Sequence, residues 1–460
     1  MSISRELTRL AMGITKEKIT RATIEYTEKV LIDTIGCLIA GHAEPGVHEV
    51  RSVIEKLGSS GDTHILVYGD KARIDDAVML NSIMIHAMDY DDIHTPAVLH
   101  IMSKLVPTTL AVGEMCGASG MDVLEAIIAG VEIGGRIGRK FKSFGFLNSN
   151  IAGGFGVVAA ACKLLGLDED QTVNAFGIYH SQNCGNRQAL LEGALCKRIQ
   201  PAFAAKSAVL SSLLAKEGFT GPENVFEGTC GVFNLYSDGD YVPDVKDFTA
   251  EKPYFEIEHD ALKSYPTCGA HHSAIRSAEL LKEEYGFTAE DIEKVELFLM
   301  NNKKLVGNPF VLGSHPQVNA QFSAQYAVAL ALVHGKAALK YFKEDRIISD
   351  TKVTRLAQNI IVPDKFDRPV PKEYAEREED ARIVRVYLKD GRVLEKGLPV
   401  VKFVLPEAMS LEDVYNKFYE CAEYSGICSK EKAESIIESV HNLKNAPSIK
   451  QFIQDNLILM

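Results

Sequence analysis

Nowhere does the chain pair two cysteines as C-x-x-C; its nine cysteines, at 37, 116, 162, 184, 196, 230, 268, 421 and 428, stand singly. No cluster of them has iron–sulfur spacing. Several fall in apolar helical patterns such as IGCLIAG and AAACKLLG, so they read as buried, reduced thiols of a protein in a reducing compartment. No stretch of about eighteen uncharged apolar residues exists, so no membrane span is expected. The opening MSISRELTRLAMG lacks the continuous apolar core of a signal peptide, and the expectation is a cytoplasmic protein. There is no long basic run, and the formal net charge is −12, which argues against a nucleic-acid partner. An anionic substrate would have to be drawn in by a local cationic pocket. G-x-x-x-x-G-K-[ST], G-x-S-x-G and H-E-x-x-H are all absent, and GGFGVV follows no strand, so nucleotide folds, the hydrolase elbow and a zincin site find no support.

What is present is a chain of 460 residues, 46% hydrophobic and 24% charged, long enough for two or three domains with sizeable cores. TRATIEYTEKVLIDTIGCLIAG (20–41) repeats apolar residues at three- and four-residue spacing and stops at Gly41. DDAVMLNSIMIHA, DVLEAIIAGVEIGGRIGRK, GGFGVVAAACKLLGL and PAFAAKSAVLSSLLAKEGF follow the same rule, with Ala and Gly on several faces, as suits stacked helices. After about residue 262 the pattern changes. IEKVELFLM (292–300) alternates like a half-buried strand, and ARIVRVYLKDGRVLEKG (381–397) alternates on both sides of an Asp-Gly turn. VPDKFDRPVPKEY (362–374) reads as an exposed connection, and from LPEAMSLEDVYNKF onward the pattern is helical again. The expected fold is mainly α with an α+β second domain: a large helical domain from residues 1–262 and 398–460, and a smaller inserted α+β domain at 263–397.

Titratable groups concentrate in HAMDYDDIHTPAVLH (86–100), which holds His86, Asp89, Asp91, Asp92, His94 and His100. Read by itself it is a metal site built on His94, His100 and one of the aspartates, an acid/base site, or a solvated turn; no defined ligand spacing favours the metal. In ALKSYPTCGAHHSAIRSAELL (261–281), Lys263, Tyr265, His271 and His272 fall where the helical pattern gives way, and His272 opens a helix whose positive end favours an anion. Lys206 lies in an Ala-rich helix, where it either snorkels to the surface or serves an anion, while Lys197 and Arg198 read as surface or carboxylate-pairing groups. Tyr326 alone reads as a core tyrosine.

Taken in order, NSIMIHAMDYDD, LLGLDEDQTVNAFGIYHSQ, EGALCKR, AAK, GFTGPENVFEG, KSYPTCGAHH and QFSAQY resemble the MmgE/PrpD family, which includes 2-methylcitrate dehydratase, cis-aconitate decarboxylase and iminodisuccinate epimerase. The resemblance runs from about residue 5 to the end and is strongest between 80 and 330. It implies a homodimer whose smaller domain acts as a lid, and an active site between the domains that needs no metal or other cofactor. It implies a lyase acting on a small polycarboxylate, with a 2-methylcitrate dehydratase-like reaction foremost and decarboxylation or epimerisation as alternatives. A dimeric binding protein without catalysis is the rival of another class. Carried over, the family's catalytic positions fall on Asp89, His100, Lys206, His272 and Tyr326, with Lys263, Arg187, Lys197 and Asn148 as candidate substrate contacts. His100 oriented by Asp89 is the expected base or acid, Lys206 and His272 the expected cations, and Asp91 and Asp92 hold the turn.

The chain departs from the family pattern at several positions. Ile93 stands for a threonine, His100-Ile101-Met102 for H-P-S, and Leu147 for a histidine with Asn148 and Asn150 nearby. Arg276 replaces an acid, and Arg187 stands where small or neutral residues are usual. These replacements keep the catalytic set, alter the pocket lining and favour an unusual substrate.

Overall fold

A computed structural model describes residues 2–307, 309–399 and 409–460. Leu405 to Ala408, the start of the expected C-terminal helical stretch, lie outside the described residues. The helices that frame the site are α1 (Arg21–Gly41), α2 (Ile74–His86), α3 (Met102–Cys116), α4 (Gly120–Lys140), α5 (Gly153–Leu164), α6 (Cys196–Lys216), α7 (His272–Tyr285), α8 (Ala324–His334) and α9 (Leu411–Ser425).

The fold is mainly helical with small sheets, and the helix boundaries follow local chemistry. Thr20 caps α1 through the Thr23 N–H, Ser119 and Asp122 close a capping box on α4, and Ser323 caps α8. Close crossing of α4 and α5 depends on glycine, since a Cβ on Gly156 would stand 2.1 Å from the Gly130 carbonyl oxygen. Helix α6 packs on α2, α5 and α3, and α9 returns to pack on α1, where Phe418 lies against Gly36. No helix among the described residues is long and apolar enough to cross a membrane.

The strands are few. Thr63–His64 (β1) pairs with Lys71–Ala72 (β2), and Ile93–His94 (β3) with Asp260–Ala261 (β4), each antiparallel. Ile292–Phe298 (β5), Ile383–Leu388 (β6) and Val393–Gly397 (β7) form an antiparallel sheet in the order β5-β6-β7. The β6–β7 hairpin turns at the expected Asp-Gly, with Gly391 at φ +89°. The two-residue β3–β4 ladder matters most for function, because it ties the acid-rich segment after α2 to the segment that carries Lys263.

Burial removes one of the three readings of the acid-rich segment and divides the cysteines. The turn after α2 is not solvated: Asp91, Asp92 and His94 are fully buried, because β3 pairs with β4 over them. The cysteines are all free; Cys37 and Cys162, in the quoted apolar patterns, are buried as expected, as are Cys421 and Cys428, whereas Cys116, Cys184, Cys196 and Cys230 are exposed.

Candidate active site

Helix α2 is apolar on nearly every face and ends at His86, so the chain leaves the core carrying polar groups that must find partners inside. It turns at Asp89, whose φ of +50° is a left-handed conformation that Asp tolerates better than most residues. The turn aims the Asp89 carboxylate at two ammonium groups. Lys263 donates to Asp89 Oδ2 and to the Asp89 carbonyl, each at 2.8 Å. Lys197, from the first turn of α6, bonds Oδ1. Burial opposes ionisation of Asp89, but the two lysines outweigh it and hold the carboxyl well below the usual range.

Lys197 Nζ also donates to His86 Nε2 at 2.8 Å and lies 4.7 Å from the centre of the Phe322 ring. Since Nε2 accepts, His86 carries its proton on Nδ1 and donates it to Asp91 Oδ2 at 2.8 Å. Asp91, His86, Lys197 and Asp89 thus form one hydrogen-bonded chain. An ammonium has three N–H bonds, and this chain engages two of them.

His100 stands edge-on to His86, ring centres 5.3 Å apart. Its Nδ1 is 2.7 Å from the Asp92 carbonyl, which can only accept, so Nδ1 bears the proton and Nε2 keeps its lone pair. Ser149 Oγ accepts the His100 backbone N–H at 2.9 Å, and the Asp92 carboxylate accepts those of Ile101 and Met102 at the start of α3. Burial and the Lys263 charge push the imidazole well below its usual pKa, so it is neutral at neutral pH. Burial and the Asp91 charge raise the Asp92 carboxyl to about 7.

These groups border a cavity of about 260 Å³. His86, Asp89, His100 and Lys197 line it together with Arg187 and Asn148; Ile93, Leu147, Leu190 and Phe322 supply apolar wall. Val98, also on the wall, has φ +55°, and Met300, next to the lining residue Asn301, has φ +45°. Strained backbone of this kind gathers at functional sites.

Asp89, His100, Lys197, Arg187 and Asn148 therefore share one cavity, with Lys263 directly behind Asp89. Asn148 is held by the Ala97 carbonyl at 3.2 Å. Three expected residues do not reach it. Lys206 pairs with Asp75 at 3.1 Å and Asp76 at 2.8 Å on another face of α6. The His272 ring is buried edge-on to Tyr265 at 5.2 Å, and burial holds it neutral, so it is not the expected cation. Tyr326 donates to the Tyr341 carbonyl at 3.2 Å and packs on Phe310. Lys197 and Arg198, expected at the surface or on carboxylates, are both buried; Lys197 meets Asp89, while Arg198 meets the carboxamides of Gln317 and Gln321. His94 Nε2 is hydrogen-bonded to Glu256 at 3.0 Å, away from the cavity.

The residues missed are His86, Ser149 and Cys268. His86 was visible as the last residue of an apolar helix; for the others no local pattern pointed to the site. His86, Asp91 and His100 do place ligand atoms within 4.8 Å of one another, the arrangement a metal would use. As hydrogen-bonded here, both Nδ1 atoms carry protons and the remaining His86 nitrogen faces an ammonium, so this donor set does not fit a dication.

Residues 5–243 match the MmgE/PrpD N-terminal domain and residues 265–443 the MmgE/PrpD C-terminal domain. The chain belongs to the MmgE/PrpD family. Among curated relatives, the cis-aconitate decarboxylase-like protein oryM of Aspergillus oryzae is 26% identical over 477 residues, covering 98% of this chain and 96% of that protein. Cis-aconitate decarboxylase of Aspergillus terreus is 26% identical over 500 residues, covering 98% and 95%. The Homo sapiens cis-aconitate decarboxylase is 26% identical over 463 residues, covering 96% and 92%.

Proposed function

We propose that the chain is a lyase that acts, without a metal, next to a carboxylate of a small polycarboxylate, and that decarboxylation of a cis-aconitate-type substrate is its reaction. The observation that carries this reading is the juxtaposition of a neutral His100, its Nε2 free, with the anchored Lys197 ammonium on one cavity. Relatives named for that reaction, matched over nearly their whole length, support it.

In such a decarboxylation the bond between a CH2 carbon and its carboxylate breaks and carbon dioxide leaves. The freed electron pair becomes a new C=C, and the pair of the old double bond takes a proton at the carbon it shifts to. Negative charge builds on the retained carboxylate, where Lys197 offers its remaining N–H. His100 carries the proton: the arriving carboxylates raise its basicity, Nε2 takes up a proton, and the imidazolium returns it to carbon.

The neutral imidazole favours a second reading. An imidazole held neutral is already a base, and dehydration needs one to remove the proton beside a carboxylate while a hydroxyl leaves as water. Proton NMR in deuterium oxide with EDTA separates the two. The expected result is conversion of cis-aconitate to a terminal methylene product with one deuteron incorporated and carbon dioxide released. An alkene formed from 2-methylcitrate, with no carbon dioxide, establishes the dehydratase instead. No turnover of either substrate, or turnover that EDTA abolishes, removes the proposal.

A further inference from the structure

Arg187 is a cation without a carboxylate. Its Nη1 donates to the Ser143 and Phe144 carbonyls at 2.7 and 2.6 Å, and no ion pair forms with it among the described residues. A guanidinium has five N–H donors, and the edge formed by Nε and Nη2 has no acceptor among the described residues. That leaves a charge in a partly desolvated position on the wall of the cavity that holds His100 and Lys197. Burial lowers its pKa from the ordinary arginine value, and Cys268 and Asp238 compensate only at longer range.

The group is also fixed in place. The Arg187 N–H donates to the Gly145 carbonyl at 3.1 Å, Phe146 and Asn186 form an antiparallel bridge, and the Asn186 N–H is held by Gln200 at 2.9 Å. Two chain segments are thus zipped together around the guanidinium. A planar fork held on one side and free on the other is suited to a carboxylate, which it can bind through two parallel hydrogen bonds. Lys197 is committed to Asp89 and His86 beside the base, so it serves the carboxylate next to the reacting carbon.

Building on the polycarboxylate reading, we propose that Arg187 is a specificity-determining residue that binds the substrate's remote carboxylate, so that this enzyme selects molecules carrying at least two carboxylates, one at each cation. The substrate is then held at two points, and the carbon between them is presented to His100.

Calorimetric titration with tricarballylate, an unreactive tricarboxylate, and with butyrate, which lacks a remote carboxylate, tests this without relying on turnover. R187Q is expected to weaken tricarballylate binding by at least about tenfold, the worth of a charged hydrogen bond, and to leave butyrate unchanged. R187K, which keeps a cation without the fork, is expected to fall between. A purely structural Arg187 would weaken both ligands alike, and equal binding of tricarballylate by parent and R187Q overturns the proposal while leaving the lyase reading intact. If the parent itself binds no tricarballylate, the polycarboxylate reading fails and this proposal with it.

Discussion

Replacing His100 by alanine is expected to lower turnover roughly a hundredfold to ten-thousandfold, the range for losing a positioned acid–base group. The fold should survive. The ring's one strong tie is its Nδ1–H to the Asp92 carbonyl, whereas Ser149 is held by the backbone N–H that alanine retains. The loss should appear in kcat more than in KM, since in the proposed mechanism the imidazole moves a proton and the cations bind the substrate. Both the decarboxylation and the dehydration route the proton through Nε2, so the prediction does not depend on which reaction occurs. Turnover of H100A within about tenfold of the parent would remove His100 from the mechanism.

The largest effect on stability is expected from D89N. The change keeps the shape and the left-handed backbone, which Asn adopts readily, and removes only the charge. Two buried ammonium groups, Lys197 and Lys263, then lose their carboxylate, and breaking a buried pair in this way costs about 3–5 kcal/mol. The pH dependence gives an independent readout. In the parent, burial lowers the Lys263 pKa, but Asp89 and Asp91 outweigh it and hold the ammonium above its ordinary value. Its contribution is complete below the unfolded-state lysine pKa and fades only as pH rises through the folded value. In D89N burial wins, the folded pKa falls below the unfolded one, and between the two the unfolded chain binds more protons. The variant should therefore gain stability as pH rises through that window, where the parent does not. Urea unfolding at several pH values measures both effects; a loss under about 1 kcal/mol with the parent's pH profile would mean that Asp89 is not the counter-ion described.

Much of this was legible in the sequence because it is local. Period-3.6 and period-2 patterns located the helices, β5 and the β6–β7 hairpin; the acid-rich segment stood out as a candidate, and the family resemblance singled out Asp89 and His100 within it. The placement of the lysines was not local. Lys197 and Lys206 lie nine positions apart on α6, about two and a half turns at 3.6 residues per turn, so one helix cannot turn both toward the same cavity. The Ala-rich surrounding left Lys206 open between the surface and an anion, and the resemblance chose the anion; Asp75 and Asp76, more than a hundred residues earlier, are buried carboxylates that pair with it instead. Lys197 instead owes its burial to Asp89 and His86, at comparable sequence distance. Neither pairing leaves a trace in spacing. The adjacent histidines pose the same problem, since successive helical residues point about 100° apart and only packing decides which way each ring turns. Burial of Asp91, Asp92 and His94 likewise follows from the pairing of β3 with β4, two residues long and far too short to show as a pattern.

The location of the active site is tested most directly by comparing K197M with K206M, each of which removes an ammonium while keeping an unbranched side chain. Steady-state turnover on cis-aconitate, or on whichever polycarboxylate the parent consumes, is expected to fall by roughly a hundredfold or more in K197M, the cost of losing one preorganised donor to developing charge. K206M should stay within about threefold of the parent in turnover, because Lys206 lies off the cavity and Arg73 remains to pair with Asp75 and Asp76. The reverse pattern, with K206M inactive and K197M near the parent, would contradict the site described.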